Sequence, residues 1–329
     1  MQRFVKILFV VVSLITPGLA AANTAWAENP SPHRIVVLSD THLPGNLLPQ
    51  KEQALQTINS WDDVELVVVT GDMVARGGSV AEYAAARKFF DQLKKPAAFV
   101  IGNHDYIYPD TYTMNPETGH HRKESDPEMR RAKINRFRET WGLRDIYYSR
   151  RLGRYHLIFL SADHLTSNDY VRLSDEQMAW FSTELSASAG TPTIVFCHAP
   201  LAGTFRAAKI LQDTAADSHV AEPQDRIAVL LKQHLQVRLW VSGHLHLAPT
   251  NDDARAAYNF FEGRVLNLHN PDMDGRSTFS VNARGKKHET IWSRSLYLHS
   301  DRIVIRTYDH RQNKWLEALD RFVEVPPLP

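Results

Sequence analysis

Five short apolar runs rich in β-branched residues each lead, within a few positions, into a polar block made of metal-ligand side chains. Ile35-Val36-Val37-Leu38 precedes Asp40-Thr41-His42, and Leu66-Val67-Val68-Val69 precedes Gly71-Asp72. Ala97 to Ile101 precedes Gly102-Asn103-His104-Asp105, Thr193 to Cys197 precedes His198, and Val237 to Val241 precedes Gly243-His244-Leu245-His246. Runs that are apolar at consecutive positions are strands covered on both faces. Polar residues just past such strands stand where open α/β sheets collect their ligands. The pattern therefore predicts layered α/β structure in which strands distant in sequence deliver one set of ligands to one rim.

Helices are predicted between the runs. Lys51 to Trp61 and Val80 to Leu93 fill the first two gaps, the second opened by Ser79 with Glu82 three residues on, a capping box. Further helices are expected over Glu128 to Trp141, Asp175 to Ser186 behind the cap Ser174, and Asp225 to His234, with a strand at Tyr155 to Leu160. The first half thus reads βαβαβ. Beyond Ala248, Val265 to His269, Ser295 to His299 and Ile303 to Tyr308 read as strands of a second sheet, and Lys314 to Arg321 as a short final helix. The stretch 106–127 is too long for an ordinary connection and is read as a cap over the site.

Residues 1–27 carry Arg3 and Lys6, then the apolar stretch Ile7 to Ile15, too short to span a bilayer, then Pro17-Gly18 and small residues ending in Ala25-Trp26-Ala27. That is a secretory signal pattern, with cleavage after Ala20, Ala22 or Ala27. It leaves 28–329 as one domain with a C-terminal β extension and no membrane span. The single cysteine, Cys197, excludes an internal disulfide and sits in an apolar run, as a buried inert thiol does. A chain of 329 residues buries enough apolar surface to dispense with such staples. With the proline-blocked Asn29-Pro30-Ser31, this points to a bacterial periplasm. The net charge of +1 gives no overall attraction to nucleic acid, and no stable nucleic-acid complex is expected. The basic excess over 122–154 reads mainly as a solvated amphipathic helix, with guidance of an anionic substrate as the other reading.

The chemistry follows from the donor types. In Asp40-x-His42 and His244-x-His246, two side chains separated by two residues share one face of an extended segment. Asp72 is the natural bridge, because an ionised carboxylate offers two oxygens to two cations about 3.5–4 Å apart. Such a pair acidifies a bridging water, so that hydroxide attacks phosphorus and no side chain is phosphorylated. His104 is placed to protonate or hydrogen-bond the leaving oxygen, with Asp105 orienting its imidazole. Arg76 and Arg206, each close after a block, are candidate phosphate contacts. Asp163, His164, His120, His121 and His269 match no block and read as polar surface or local hydrogen bonding.

The ordered set D-x-H, G-D, G-N-H-D, H and G-H-x-H resembles the calcineurin-like metallophosphoesterase superfamily over Asp40 to His246. Gly77-Gly78, Glu82-Tyr83, and Leu173 to Trp180 ahead of His198-Ala199-Pro200 are similar to its bacterial class III cyclic-nucleotide phosphodiesterase branch. The resemblance implies a four-layer αββα sandwich with a dinuclear site at the carboxyl ends of the strands. It implies one metal on Asp40, His42, Asp72 and His246, a second on Asp72, Asn103, His198 and His244, and His104 as proton donor. Oxygen and nitrogen donors without thiolate fit Mn, Fe or Zn, and the resemblance favours Mn or Fe among them. The expected activity is hydrolysis of small phosphodiesters, and also of monoesters. The alternatives are a nuclease using the same site and a non-catalytic binding protein on the same fold.

Overall fold

The computed structural model describes residues 31–110, 125–206, 219–276, 279–280, 283–284 and 288–325. In chain order the regular elements are β1 (His33–Leu38), α1 (Leu48–Asn59), β2 (Val64–Val69), α2 (Val80–Phe90), β3 (Ala97–Phe99), α3 (Pro127–Trp141), β4 (Tyr148–Leu152), β5 (Tyr155–Leu160) and α4 (Asp175–Ala187). There follow β6 (Thr193–Cys197), α5 (Gln224–Gln233), β7 (Val237–Ser242), β8 (Phe260–Phe261), β9 (Val265–His269), β10 (Phe279–Ser280), β11 (Ala283–Arg284), β12 (Trp292–Leu298), β13 (Arg302–Asp309), β14 (Lys314–Trp315) and β15 (Arg321–Glu324). The signal pattern at 1–27, His120 and His121 lie outside the described residues, as does most of the expected cap. Its two ends meet, for the Ser125 amide donates to the Ile107 carbonyl at 2.6 Å.

Two sheets organise these elements. One has seven strands in the order β14-β13-β12-β1-β2-β3 with β15 on β13, and the other six in the order β4-β5-β6-β7-β9-β8. β1, β2 and β3 are parallel, as are β5, β6, β7 and β9. Alternate residues of each apolar run face opposite ways. Ile35, Val37, Leu66 and Val68 meet Leu157, Phe159, Ile194, Phe196, Leu239 and Val241 between the sheets. Val36, Leu38, Val67 and Val69 turn outward under Ala54, Leu55 and Ile58 of α1 and Tyr83 and Ala86 of α2. The other sheet packs likewise beneath Phe181 and Leu185 of α4 and Ile227 and Leu231 of α5. This double covering is the αββα sandwich, and it explains why the central strands read as unbroken apolar runs rather than as alternation.

The carboxyl-terminal third departs from expectation. It does not form a second sheet of its own: β9 joins the sheet of β5, β6 and β7, whereas β12 pairs antiparallel with β1 and extends the first sheet. Periodicity identifies a strand but not its neighbour. Lys314 to Arg321 is no helix either, but β14, a short 3-10 turn and the start of β15. α3 is not simply a solvated face, since Arg130 and Lys133 are buried. The Arg130 guanidinium holds the Ser167 carbonyl at 2.7 Å, and Lys133 pairs with Asp110 at 2.7 Å. The capping box at Ser79 and Glu82 forms as predicted.

His310, at the end of the first sheet, is 2% exposed, with Nε2 2.9 Å from the Ser293 hydroxyl. Burial pushes its imidazole down to about 3. An unfolded histidine titrates near ~6.5, so between these values the unfolded chain binds the extra proton, and stability is lost as pH falls. His310→Gln is expected to remove that part of the acid sensitivity, up to about 4 kcal/mol between pH 6.5 and 3. Urea unfolding of both proteins across that range measures it, and parallel pH profiles would refute the assignment.

Candidate metal centre

The five blocks converge at the carboxyl ends of β1, β2, β6 and β7 and just beyond β3. Asp40, His42, Asp72 and His246 form one group and Asp72, His198 and His244 another; in each, one donor atom per residue lies within 4.8 Å of the others. Asp72 is common to both. Asp40, His42, Asp72, His198 and His244 are buried, and the His246 side chain is 12% exposed. His246 Nε2 stands 3.0 Å from Asp40 Oδ1, and His198 Nε2 stands 3.2 Å from Asp72 Oδ2 and 3.1 Å from Asn103 Oδ1. Every residue assigned by sequence to the metals is thus brought together.

The route by which they meet differs from the expected one. Asp40, His42, Asp72, His244 and His246 all have positive φ, between 46° and 65°. The paired blocks are therefore not extended segments with side chains on one face. They are tight left-handed turns, each cross-tied to the next block. The Asp40 amide donates to the Gly71 carbonyl at 3.1 Å, His42 to Asp72 at 3.0 Å, and Gly243 to His198 at 2.9 Å. Two glycines make this crowding feasible. Gly71 has φ +93°, and a Cβ there would lie 2.6 Å from the His198 ring, while one at Gly243 would collide with the Asp40 carboxylate.

Asp105 also departs from expectation. It does not orient His104. Its Oδ1 accepts the Met73 and Val74 amides at 2.9 and 3.3 Å, and its Oδ2 the Asp72 and Gly102 amides at 2.9 and 2.8 Å. With no free lone pair to offer an imidazole, it pins the Asp72 turn to the Asn103 turn. His104 stands beside His42, ring centroids 4.8 Å apart, its amide donating to Asp72 Oδ1 at 2.8 Å and its buried Nδ1 without a partner.

The electrostatics suit cations. Burial alone would raise Asp72, but the nearby imidazoles, His198 foremost, hold it well below the usual carboxylate range. Burial opposes charge on His198 too, yet Asp72 and Asp40 raise it to about 9, and Asp40 likewise raises His246. Burial lowers His42, His104 and His244. Imidazole nitrogens face one another at 3.3 Å between His42 and His246 and at 3.2 Å between His244 and His198, and His244 Nε2 has no partner. Converging lone pairs and carboxylate oxygens, with a shared carboxylate between two groups, fit a pair of metal ions.

The remaining sequence candidates fall elsewhere. Arg206 packs on the Tyr258 ring at 4.9 Å. The Arg76 amide donates to Glu82 at 2.7 Å. Asp163 accepts the Ser174 amide and hydroxyl at 2.6 and 2.7 Å and so braces the start of α4. His164 Nδ1 accepts the Ser167 amide at 3.0 Å, and His269 is buried against the Thr204 carbonyl at 3.1 Å. Cys197 is buried, which pushes its thiol up to about 12. Two neighbours of the centre carried no sequence signal: His219, whose ring lies 5.4 Å from that of His244, and Arg276, whose charge bears on His42 and His104. Neither lies in a block after a strand.

Known proteins are similar to this chain. The glycerophosphodiester phosphodiesterase GpdQ of Enterobacter lignolyticus (strain SCF1) is 29% identical over 143 residues, 41% of this chain and 42% of that protein, so the match spans less than half of either. Among solved structures, a dimetal phosphatase from Danio rerio superposes with a TM-score of 0.55 at 13% identity, covering 85% of this chain and 97% of that one. The purple acid phosphatase PPD1 of yellow lupin (Lupinus luteus) gives 0.56 at 16% identity over 87% of this chain and 54% of that one. At such identities the likeness is one of fold. The model of the calcineurin-like phosphoesterase family matches residues 33–248, the span that carries both ligand groups, and the chain belongs to that family.

Proposed function

We propose that the protein is an exported, metal-dependent phosphodiesterase acting on small phosphodiesters. The observation that carries this reading is the sharing of Asp72 between two buried ligand groups. One metal would rest on Asp40, His42, Asp72 and His246, and the other on Asp72, Asn103, His198 and His244. Two bound cations would screen phosphoryl charge and acidify water, drawing its pKa toward ~7. The carboxylates and imidazoles hold the cations. His104, kept neutral by burial in the free chain, has an N–H for hydrogen bonding to the leaving oxygen. Asn103 is steadied by the hydrogen bond that its Nδ2 donates to the Tyr108 hydroxyl at 2.9 Å. The diester preference is supported by the likeness to GpdQ and by the class III features of the sequence. Export to a periplasm is supported by the pattern of residues 1–27. Mixed oxygen and nitrogen donors fit Mn, Fe or Zn, and the likeness to the calcineurin-like family favours Mn or Fe.

The test is a side-by-side rate comparison on mono-, di-, cyclic and polynucleotide esters, with the protein loaded with Mn and then with Fe or Zn. Small diesters are expected to turn over at least about tenfold faster by kcat/KM than monoesters, a transition-state difference of about 1.4 kcal/mol. Preference for polynucleotides, with binding that weakens steeply with salt, would make it a nuclease instead. No turnover with any metal would sink the reading.

A further inference from the structure

The loop after β9 reaches the centre. The Asp40 and Asp72 blocks are both tied to it: the Met273 amide donates to the Asp40 carbonyl at 3.2 Å, and Arg276 Nη2 donates to the carbonyl of Ala75, three residues past Asp72, at 3.1 Å. Arg276 Nε donates to Asp274 Oδ2 at 2.9 Å. Asp274 is fully buried, and its other oxygen is taken by Lys51 at 2.6 Å and the Asn46 amide at 2.5 Å. One carboxylate thus serves two cations. Lys51 is enclosed, whereas 29% of the Arg276 side chain is exposed; a second buried carboxylate, Asp272, accepts the Arg276 amide at 2.9 Å and pairs with His288 at 2.7 Å. Arg276 Nη1 has no hydrogen-bond partner among the described residues.

A guanidinium fixed beside a centre built for cations is an unfavourable neighbour when the centre is loaded, unless an anion lies between them. A phosphoryl group is such an anion, and guanidinium donors match its oxygens. We propose that Arg276 is a substrate-binding residue whose free Nη1 holds a phosphoryl oxygen, the role that sequence position had suggested for Arg76 or Arg206. Asp274 and Ala75 hold its other donors, so the side chain is aimed before substrate arrives. The proposal rests on the phosphoesterase reading of the centre.

Arg276→Gln and Arg276→Lys test it in the metal-loaded full chain, with inorganic phosphate as probe. Its dissociation constant is measured by calorimetry and its inhibition constant against bis(p-nitrophenyl) phosphate. Arg276→Gln is expected to weaken phosphate binding about 10- to 100-fold and to raise KM similarly, while metal content by elemental analysis and thermal midpoint stay near wild type. Arg276→Lys should recover part of the loss, since it restores charge without the planar fork. Unchanged phosphate affinity in Arg276→Gln, or a loss that tracks missing metal, overturns the proposal and leaves the phosphoesterase reading standing. A wild-type protein that neither binds phosphate nor cleaves esters overturns both.

Discussion

Asp72→Asn is expected to cut turnover of bis(p-nitrophenyl) phosphate by about a thousandfold or more, and to lower bound metal from about two ions per chain to one or none. The substitution keeps the volume of the side chain and an oxygen for the His104 amide, now at 2.8 Å. It removes the charge that both ligand groups share. It also removes the larger of the two carboxylate influences on His198, which is raised to about 9 and should fall toward the range of a buried neutral imidazole. The fold should persist, because the strands that meet at the centre are held by the apolar layers between and outside the sheets. Kinetics, elemental analysis and circular dichroism on the same preparation decide the matter. Near-normal turnover at full metal content would show that Asp72 is not the common ligand.

Asp105→Asn is expected to do the reverse: to damage the framework first and the chemistry through it. Each carboxylate oxygen of Asp105 accepts two backbone amides. Whichever oxygen becomes NH2, two buried N–H donors then face a donor. Stranding those two buried amides should cost about 3–5 kcal/mol. Because the four amides belong to the turns that carry Asp72 and Asn103, activity should fall as well, about a hundredfold for a displacement near 1 Å. The two variants therefore separate. Asp72→Asn should lose activity and metal with little change in chemical denaturation, and Asp105→Asn should lose stability. An Asp105→Asn protein as stable as wild type would return the residue to the catalytic role first expected of it.

Much of this was legible without coordinates. Apolar runs ending on ligand residues located β1, β2, β6 and β7, because burial on both faces leaves so few alternatives for Val, Ile and Leu. The same runs located the ligands, since each ligand stands within a few residues of the end of its run. Partnership between strands was not legible: nothing in the composition of β12 distinguishes a neighbour of β1 from a neighbour of β9. The work of Asp105 was hidden because its partners are amides, which every residue possesses. Arg276 escaped notice because it lies in a loop with no periodic or motif signal, and only its ties to Asp274 and Ala75 show where it is held. Arg130 and Lys133 show the converse error, in which long cations counted as surface turn out to be struts for neighbouring loops.

The left-handed turns at Asp40, His42, Asp72, His244 and His246 have a further consequence. A non-glycine residue in that conformation costs about 1 kcal/mol. The toll falls on the chain whether or not ions are bound, and the hydrogen-bonded turns and the packed layers must meet it. In this respect the protein differs from small zinc modules, in which coordination itself drives the fold. Here the packed sandwich and the cross-tied amides hold the ligand backbone bent, so shaping the seat is the work of the architecture.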